Sequence, residues 1–176
     1  GPHAERQTIK TTLLAKQTSE FNILCAKFSP YEPDKIVCCG RENIRFLRIK
    51  KGFLPGCAVV LNHYARNTVF TTLDFESNHD QVVTLSDSIL NNRLFIQVKR
   101  VFVGSKLGLL FQINYFTREL EGVFKVHEQS ICAISVSAGF CVTGSEDQFL
   151  RVWPLDFSEY FLEAKHEGVV LSLDVS

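Results

Sequence analysis

A chain of 176 residues, 45% of them apolar and 15 of them Phe, is long enough for one domain with a sizeable core. Its 19 basic and 19 acidic residues cancel, which removes the electrostatic argument for nucleic acid or an anionic membrane surface as partner. No apolar run approaches the roughly 18 residues that a bilayer-spanning helix needs.

There is no Met, and Gly1-Pro2 reads as the scar of a tag-cleaving protease, so residues 1–7 are a leader on a piece of something longer. Residues 11–17, TTLLAKQ, read as an orphan outer strand. The first unit, about 22–64, opens with ILCAKFS (23–29) and continues through KIVCCG to Gly40. It then runs through IRFLRIK (44–50) and CAVVLNHY (57–64). The second, 69–126, repeats the order with FTTLDFE (70–76), VFVG to Gly104, LLFQINY (109–115) and ELEGVFKV (119–126). The third, 131–165, has ICAISVS (131–137), FCVTG to Gly144, FLRVWPL (149–155) and YFLEAK (160–165). Residues 169–176 start a fourth, with VLSLDVS (170–176) as its first strand.

Short, small and β-branched residues in the first segment of each unit suit an inner strand buried on both faces. Aligned on Phe28, Phe75, Val136 and Val175, these strands stand 47, 61 and 39 residues apart. The glycines Gly40, Gly104 and Gly144 form a second register, spaced 64 and 40. Four-stranded units repeating near 40 residues are the signature of β-propeller blades. The expected fold is therefore all-β: a partial propeller of three complete blades with an orphan strand at each end. Three blades cannot close a ring, so the end blades are expected to self-associate through open edges or to have poorly ordered ends.

The surplus in the second unit lies at 77–100, where Val82–Leu85 and Arg93–Lys99 are strand-like. A β-hairpin and an irregular solvated insertion both fit. Long insertions on a rigid scaffold are often contact sites. His79, Asp87, Asn91 and Arg93 are therefore candidate partner contacts, on the face opposite the His-bearing turns.

In the third unit the spacing brings His127, Thr143 (or Ser145), Asp147 and Trp153 within reach of one another. A chain from indole through hydroxyl and imidazole to carboxylate would satisfy four polar groups together. The same set could pass for a catalytic His–Asp–Ser group, but Ser145 sits in no nucleophile elbow and no oxyanion-forming glycine run accompanies it. A structural tetrad and no enzyme is the expectation. The other units are degenerate, with Leu47 and Ile113 at the Trp position and Asn43 in place of the turn Asp. His63 and His79 read as exposed loop residues, and His166 as the counterpart of His127 in the next blade.

Nucleotide, zinc-protease and EF-hand motifs are missing from the sequence, so no cofactor or metal is expected. Gly104-Ser-Lys-Leu-Gly108 resembles a phosphate loop only in composition; a strand-to-strand turn explains both glycines. Arg45, Arg48, Lys50 and Lys51 form a basic cluster on one strand, either a solvated face or a contact for an acidic partner surface such as a tubulin tail. The six cysteines, Cys25, Cys38, Cys39, Cys57, Cys132 and Cys141, fall mostly in apolar strand patterns without a CxxC pair. They read as reduced, buried thiols of a cytosolic protein.

The stretch FCVTGSEDQFLRVWPLDFSEYFLEAKHEG (140–168), with Trp-Pro where Trp-Asp is usual, and VFVGSKLG (101–108) resemble the tandem WD-repeat propellers of centriolar, microtubule-associated proteins. ILCAKFSPYEPDKIVCCGRENIRFLRI (23–49) is more broadly similar to the propellers of echinoderm microtubule-associated protein-like proteins. The resemblance covers 8–176 except 77–100. It implies a non-enzymatic, cofactor-free scaffold at the centriole wall, supporting centriole integrity and cilium assembly. It implies centriolar or ciliary partners and tubulin among the candidates, with no nucleic acid and no membrane. The alternative class is a substrate-recruiting propeller of a larger assembly such as a ubiquitin ligase.

Overall fold

The structure, a computed structural model, describes residues 16, 18–77, 81–83, 94–96 and 99–166. The first sheet is an antiparallel meander of β1 (Ile23–Phe28), β2 (Lys35–Gly40), β3 (Asn43–Arg48) and β4 (Gly56–Ala58). The second begins with β5 (Phe70–Phe75). After a separate two-stranded sheet of β6 (Gln81–Val83) and β7 (Leu94–Ile96), it continues with β8 (Arg100–Ser105), β9 (Leu109–Asn114) and β10 (Leu120–Lys125). The third sheet is β11 (Ile131–Ser137), β12 (Phe140–Ser145), β13 (Phe149–Pro154) and β14 (Leu162–Lys165). We call the three sheets blades one to three.

Alternation along each strand distributes side chains between two cores. Val101, Val103, Phe111 and Ile113 join Val37, Cys39, Ile44 and Phe46 of blade one. Phe102 and Leu110, one residue out of phase, join Ile131, Cys141 and Trp153 of blade three. Blade two is thus covered on both faces, which is why VFVG and LLFQI read as almost unbroken apolar runs. Phe102 and Phe111 have no exposed surface, and burying each such side chain is worth roughly 1.5–3 kcal/mol.

The three blades carry the same irregularity at the same place. The innermost pair of strands slips register between Ile23 and Cys25, between Phe70 and Thr72, and between Ile131 and Ala133. Phe28, Phe75 and Val136 face Ile36, Val101 and Cys141, so the inner-strand alignment holds residue by residue.

The glycine register does not. Gly40 faces Ile23 as Ser105 faces Phe70 and Ser145 faces Ile131, so it matches those serines and stands one residue out from Gly104 and Gly144. The cause is close packing: a Cβ on Gly40 would lie 1.8 Å from the Asn22 carbonyl oxygen. Gly104 is a glycine for a different reason, since its Cβ would meet Ile131 of blade three at 2.8 Å. Gly108 turns the β8–β9 hairpin at φ +78°, so of the two glycines in the phosphate-loop lookalike only Gly108 serves the strand-to-strand turn, and Gly104 is set by blade packing instead.

Two further expectations need correction. The outer strand read at 57–64 ends at Ala58, because Val59 and Leu61 are drawn into the core and Asn62, at φ 54°, starts a 3-10 turn over Asn62–Ala65. Asn43 is not a turn residue: it pairs with Gly40, and the turn acid is Glu42, at φ 58°, whose Oε1 accepts from the Asn67 N–H at 2.8 Å. A two-residue turn replaces the longer ones of the other blades. The orphan strands read at 11–17 and 170–176 lie outside the described residues, apart from Lys16.

Candidate functional site

Blade three holds a buried chain of hydrogen-bonded polar side chains. Trp153 on β13 faces Cys141 on β12, and its indole Nε1–H donates to Thr143 Oγ1 at 2.9 Å. The hydroxyl is 2.7 Å from His127 Nε2, and His127 Nδ1 is 3.0 Å from Asp147 Oδ2. Proton counting fixes the roles. With the Thr143 oxygen accepting from Trp153, the arrangement that uses every donor has its O–H donating to Nε2 and Nδ1–H donating to the carboxylate. Only neutral imidazole fits: a proton on Nε2 would leave the Thr143 hydroxyl without an acceptor.

Burial agrees with that reading and pushes the His127 pKa down, against the pull of the Asp147 charge. Burial alone would raise the Asp147 carboxyl, but N–H bonds from Phe149 at 2.9 Å and Glu128 at 3.1 Å, with the His127 contact, hold it below the usual range. Thr143 rather than Ser145 is the hydroxyl of the chain. Ser145 Oγ instead accepts from the Asp147 N–H at 3.1 Å. The Thr–His–Asp order matches a hydrolase triad, yet Thr143 has no exposed surface and Trp153 caps its oxygen, so no substrate reaches it.

Two carboxylates that the sequence did not single out tie strands together, one between blades and one within blade two. Asp74 on β5 accepts from Val136 N–H of β11 at 2.8 Å and lies 3.8 Å from Lys27 Nζ of β1, touching all three inner strands. Glu76 and Arg100 flank the insertion as a bidentate ion pair. Their only sequence signal is opposite charge at the two ends of the surplus segment.

The basic set is split. Arg45 and Arg48 point to opposite faces because three residues separate them along a strand. Arg45, paired with Glu20 at 3.6 Å, lines a 170 Å³ cavity with Cys38 and Leu47. Arg48 and Lys50 line a second cavity, of 240 Å³, together with Lys35 and Arg118. Lys50 and Lys51 lie beyond the end of β3, in a turn closed by the Lys50–Phe53 bridge. His63 is exposed in the 3-10 turn, its ring 4.1 Å from that of Tyr64. His166 follows β14, and its N–H donates to Gln148 O at 2.7 Å. His79, Asp87, Asn91 and Arg93 lie outside the described residues. Of the six cysteines, Cys38, Cys39 and Cys141 are buried, while Cys25, Cys57 and Cys132 are half-buried.

No family model matches the chain. Among solved structures, the RRP9 WD40 repeats superpose with a TM-score of 0.64 over 89% of this chain and 42% of that one, at 12% identity. The WD40 β-propeller domain of Doa1 gives 0.63 over 90% and 46%, at 15% identity. Identities this low speak for the fold alone. The meander blades, their nested cores and the Trp–Thr–His–Asp chain define a WD-repeat β-propeller segment.

Its relatives in sequence are longer proteins. The chain is 34% identical to Centriole proteome protein 16 of Chlamydomonas reinhardtii. It is 33% and 30% identical to WD repeat-containing protein 90 of Xenopus tropicalis and of Homo sapiens. Each match covers 95% of this chain but only 8–10% of the relative, so the chain spans about a tenth of their length.

Proposed function

We propose that the chain is a non-enzymatic protein-interaction module of a centriolar, microtubule-associated WD-repeat protein, supporting centriole integrity and cilium assembly from the cytoplasmic side. The observation that carries this reading is the 34% identity, over 95% of the chain, to a protein named for the centriole proteome. The physical picture agrees with it. The polar groups of blade three are spent on one another inside the blade, which leaves the rims and the outer blade faces as the surfaces for recognition. Centriolar or ciliary proteins, with tubulin among them, are the proposed partners. A fluorescent fusion of the chain expressed in ciliated cells should concentrate at centrioles and basal bodies. A diffuse signal, with no displacement of the endogenous protein on overexpression, would sink the reading.

The outer faces also support self-association. On blade three Phe140, Val142, Val152 and Leu162 lie on the face turned away from blade two, and Phe140 and Leu162 are 48% and 67% exposed. On blade one Phe28, 66% exposed, faces Ile36 on the face turned away from Cys39. A second copy stacked face to face would cover both. Sedimentation velocity should show a concentration-dependent dimer or larger species that Phe140→Glu with Leu162→Glu abolishes. A monomer at every concentration would rule it out.

A further inference from the structure

The 240 Å³ cavity beside blade one has walls of two kinds. Phe46, Leu47, Pro55 and Gly56 form an apolar side, while Lys35, Arg48, Lys50 and Arg118 supply four cations, with no carboxylate in the lining. Neighbouring acids compensate only two of these. Glu32 lies 3.1 Å from Lys35, and Asp34 lies 3.7 Å from Arg48. Lys50 and Arg118 form no ion pair among the described residues.

Arg118 is held in place by its surroundings. It occupies the β9–β10 turn of blade two at φ 63°, its Nη1 donates to Cys57 Sγ at 2.8 Å, and its guanidinium lies 5.7 Å from the Phe46 ring centroid. A planar donor fork fixed on an aromatic face is organised to receive a carboxylate. The volume is below the roughly 300–1,000 Å³ of small-molecule pockets, which suits one side chain of a partner rather than a free cofactor. A glutamate fits both walls: its methylenes against Phe46 and Pro55, its carboxylate between Lys50 and Arg118.

We propose that this cleft between blades one and two is a docking site for an acidic peptide segment, seating a carboxylate side chain between Lys50 and Arg118. The inference deepens the interaction-module reading and names the chemistry of the partner. The sequence pointed to Arg48 and Lys50 but missed Lys35 and Arg118, since Arg118 comes from the next blade.

The test is fluorescence anisotropy of a labelled hexaglutamate peptide with the full chain. Binding should weaken as salt rises and fall at least tenfold in the Lys50→Glu, Arg118→Glu double variant, as expected for losing charge-assisted contacts. Lys50→Glu alone, at an exposed turn position, should lose severalfold, so the test survives if the double variant misfolds. Lys106→Glu makes the same charge change in the exposed β8–β9 turn and should leave binding unchanged. No binding by the parent chain, equal loss with Lys106→Glu, or tighter binding of an oligothymidylate than of the peptide each overturns the site. None of these outcomes touches centriolar targeting, which is measured separately.

Discussion

Glu76 and Arg100 stand 24 residues apart and close on each other through two charge-assisted hydrogen bonds, Nε to Oε2 at 2.8 Å and Nη2 to Oε1 at 2.7 Å. The backbone repeats the closure, with Glu76 N–H donating to Arg100 O at 2.8 Å. The carboxylate side chain is 8% exposed and the guanidinium 19%. The pair therefore clamps the neck of the insertion and shields the blade from whatever lies beyond it. Arg100→Met keeps the stem but strands a buried carboxylate, and should cost about 3–5 kcal/mol in urea unfolding. The Glu76→Leu, Arg100→Met double variant should recover most of that loss. A single-variant cost below about 1 kcal/mol would show the clamp to be dispensable.

The same neck makes the insertion removable. In blade three Ser137 faces Phe140 across a two-residue turn that ends in Gly139 at φ +84°. Glu76 and Arg100 occupy the corresponding positions in blade two. Joining residue 77 directly to residue 99, with Lys99→Gly to supply the positive φ at the second turn position, should give a folded chain whose thermal midpoint stays within a few degrees of the parent. Circular dichroism melting checks this. An unfolded product would mean that the insertion supports the blade rather than decorating it.

The sequence made the blades legible where the strand pattern repeats from unit to unit, and failed where a contact comes from a distant segment. The repeat is legible even on β1, which is largely exposed and not buried on both faces as expected. Phe28, Phe75 and Val136 align because each closes the same strand against the same partner position. Gly40 misleads because its need for space comes from Asn22, before the strand, and not from the turn after it. Asn43 looks like the turn acid only if all blades share a turn length, and blade one has a shorter one. His127, Thr143, Asp147 and Trp153 could be grouped by spacing because all four belong to one blade and the turn leading into it. Arg118 could not be grouped with Arg48, because blade packing rather than sequence proximity unites them.

Thr143 is the one group of the buried chain that both accepts and donates. Thr143→Val keeps the shape but leaves the Trp153 N–H and His127 Nε2 unpaired. Two buried orphans at about 1–3 kcal/mol each predict a loss of about 2–6 kcal/mol in urea unfolding. Thr143→Ser restores the hydroxyl and should lose clearly less. Equal losses for the two variants would assign the effect to the methyl group and not to the hydrogen bonds.

Cys25 on β1 faces Cys39 on β2, and a hydrogen bond from the Cys39 thiol is the main cause that holds the Cys25 pKa down at about 6, against burial. The donor's own pKa is pushed up by the same contact and by burial. At pH 7 Cys25 should therefore be mostly thiolate and react with iodoacetamide roughly tenfold faster than an ordinary cysteine. Peptide mass spectrometry of the alkylated chain reads the order of modification. Cys39→Ala should return Cys25 to an ordinary rate; an unchanged rate would remove the thiol contact as the cause.

The buried chain also sets how stability follows pH. His127 has its folded pKa below the ordinary 6.5, so between those two values the unfolded chain carries a proton that the folded one refuses. Its contribution is therefore complete above about pH 6.5 and is lost as the pH falls toward the folded pKa. Asp147 has the same sign in a lower window, below its ordinary 3.8, where the folded carboxylate resists a proton that the unfolded one takes. Acidification should weaken the fold in two stages, histidine first. The urea midpoint should drop between pH 7.5 and 5.5 in the parent chain. In His127→Gln, less stable throughout, that first drop should shrink while the carboxylate stage remains. An undiminished drop in the variant would move the titrating group elsewhere in the chain.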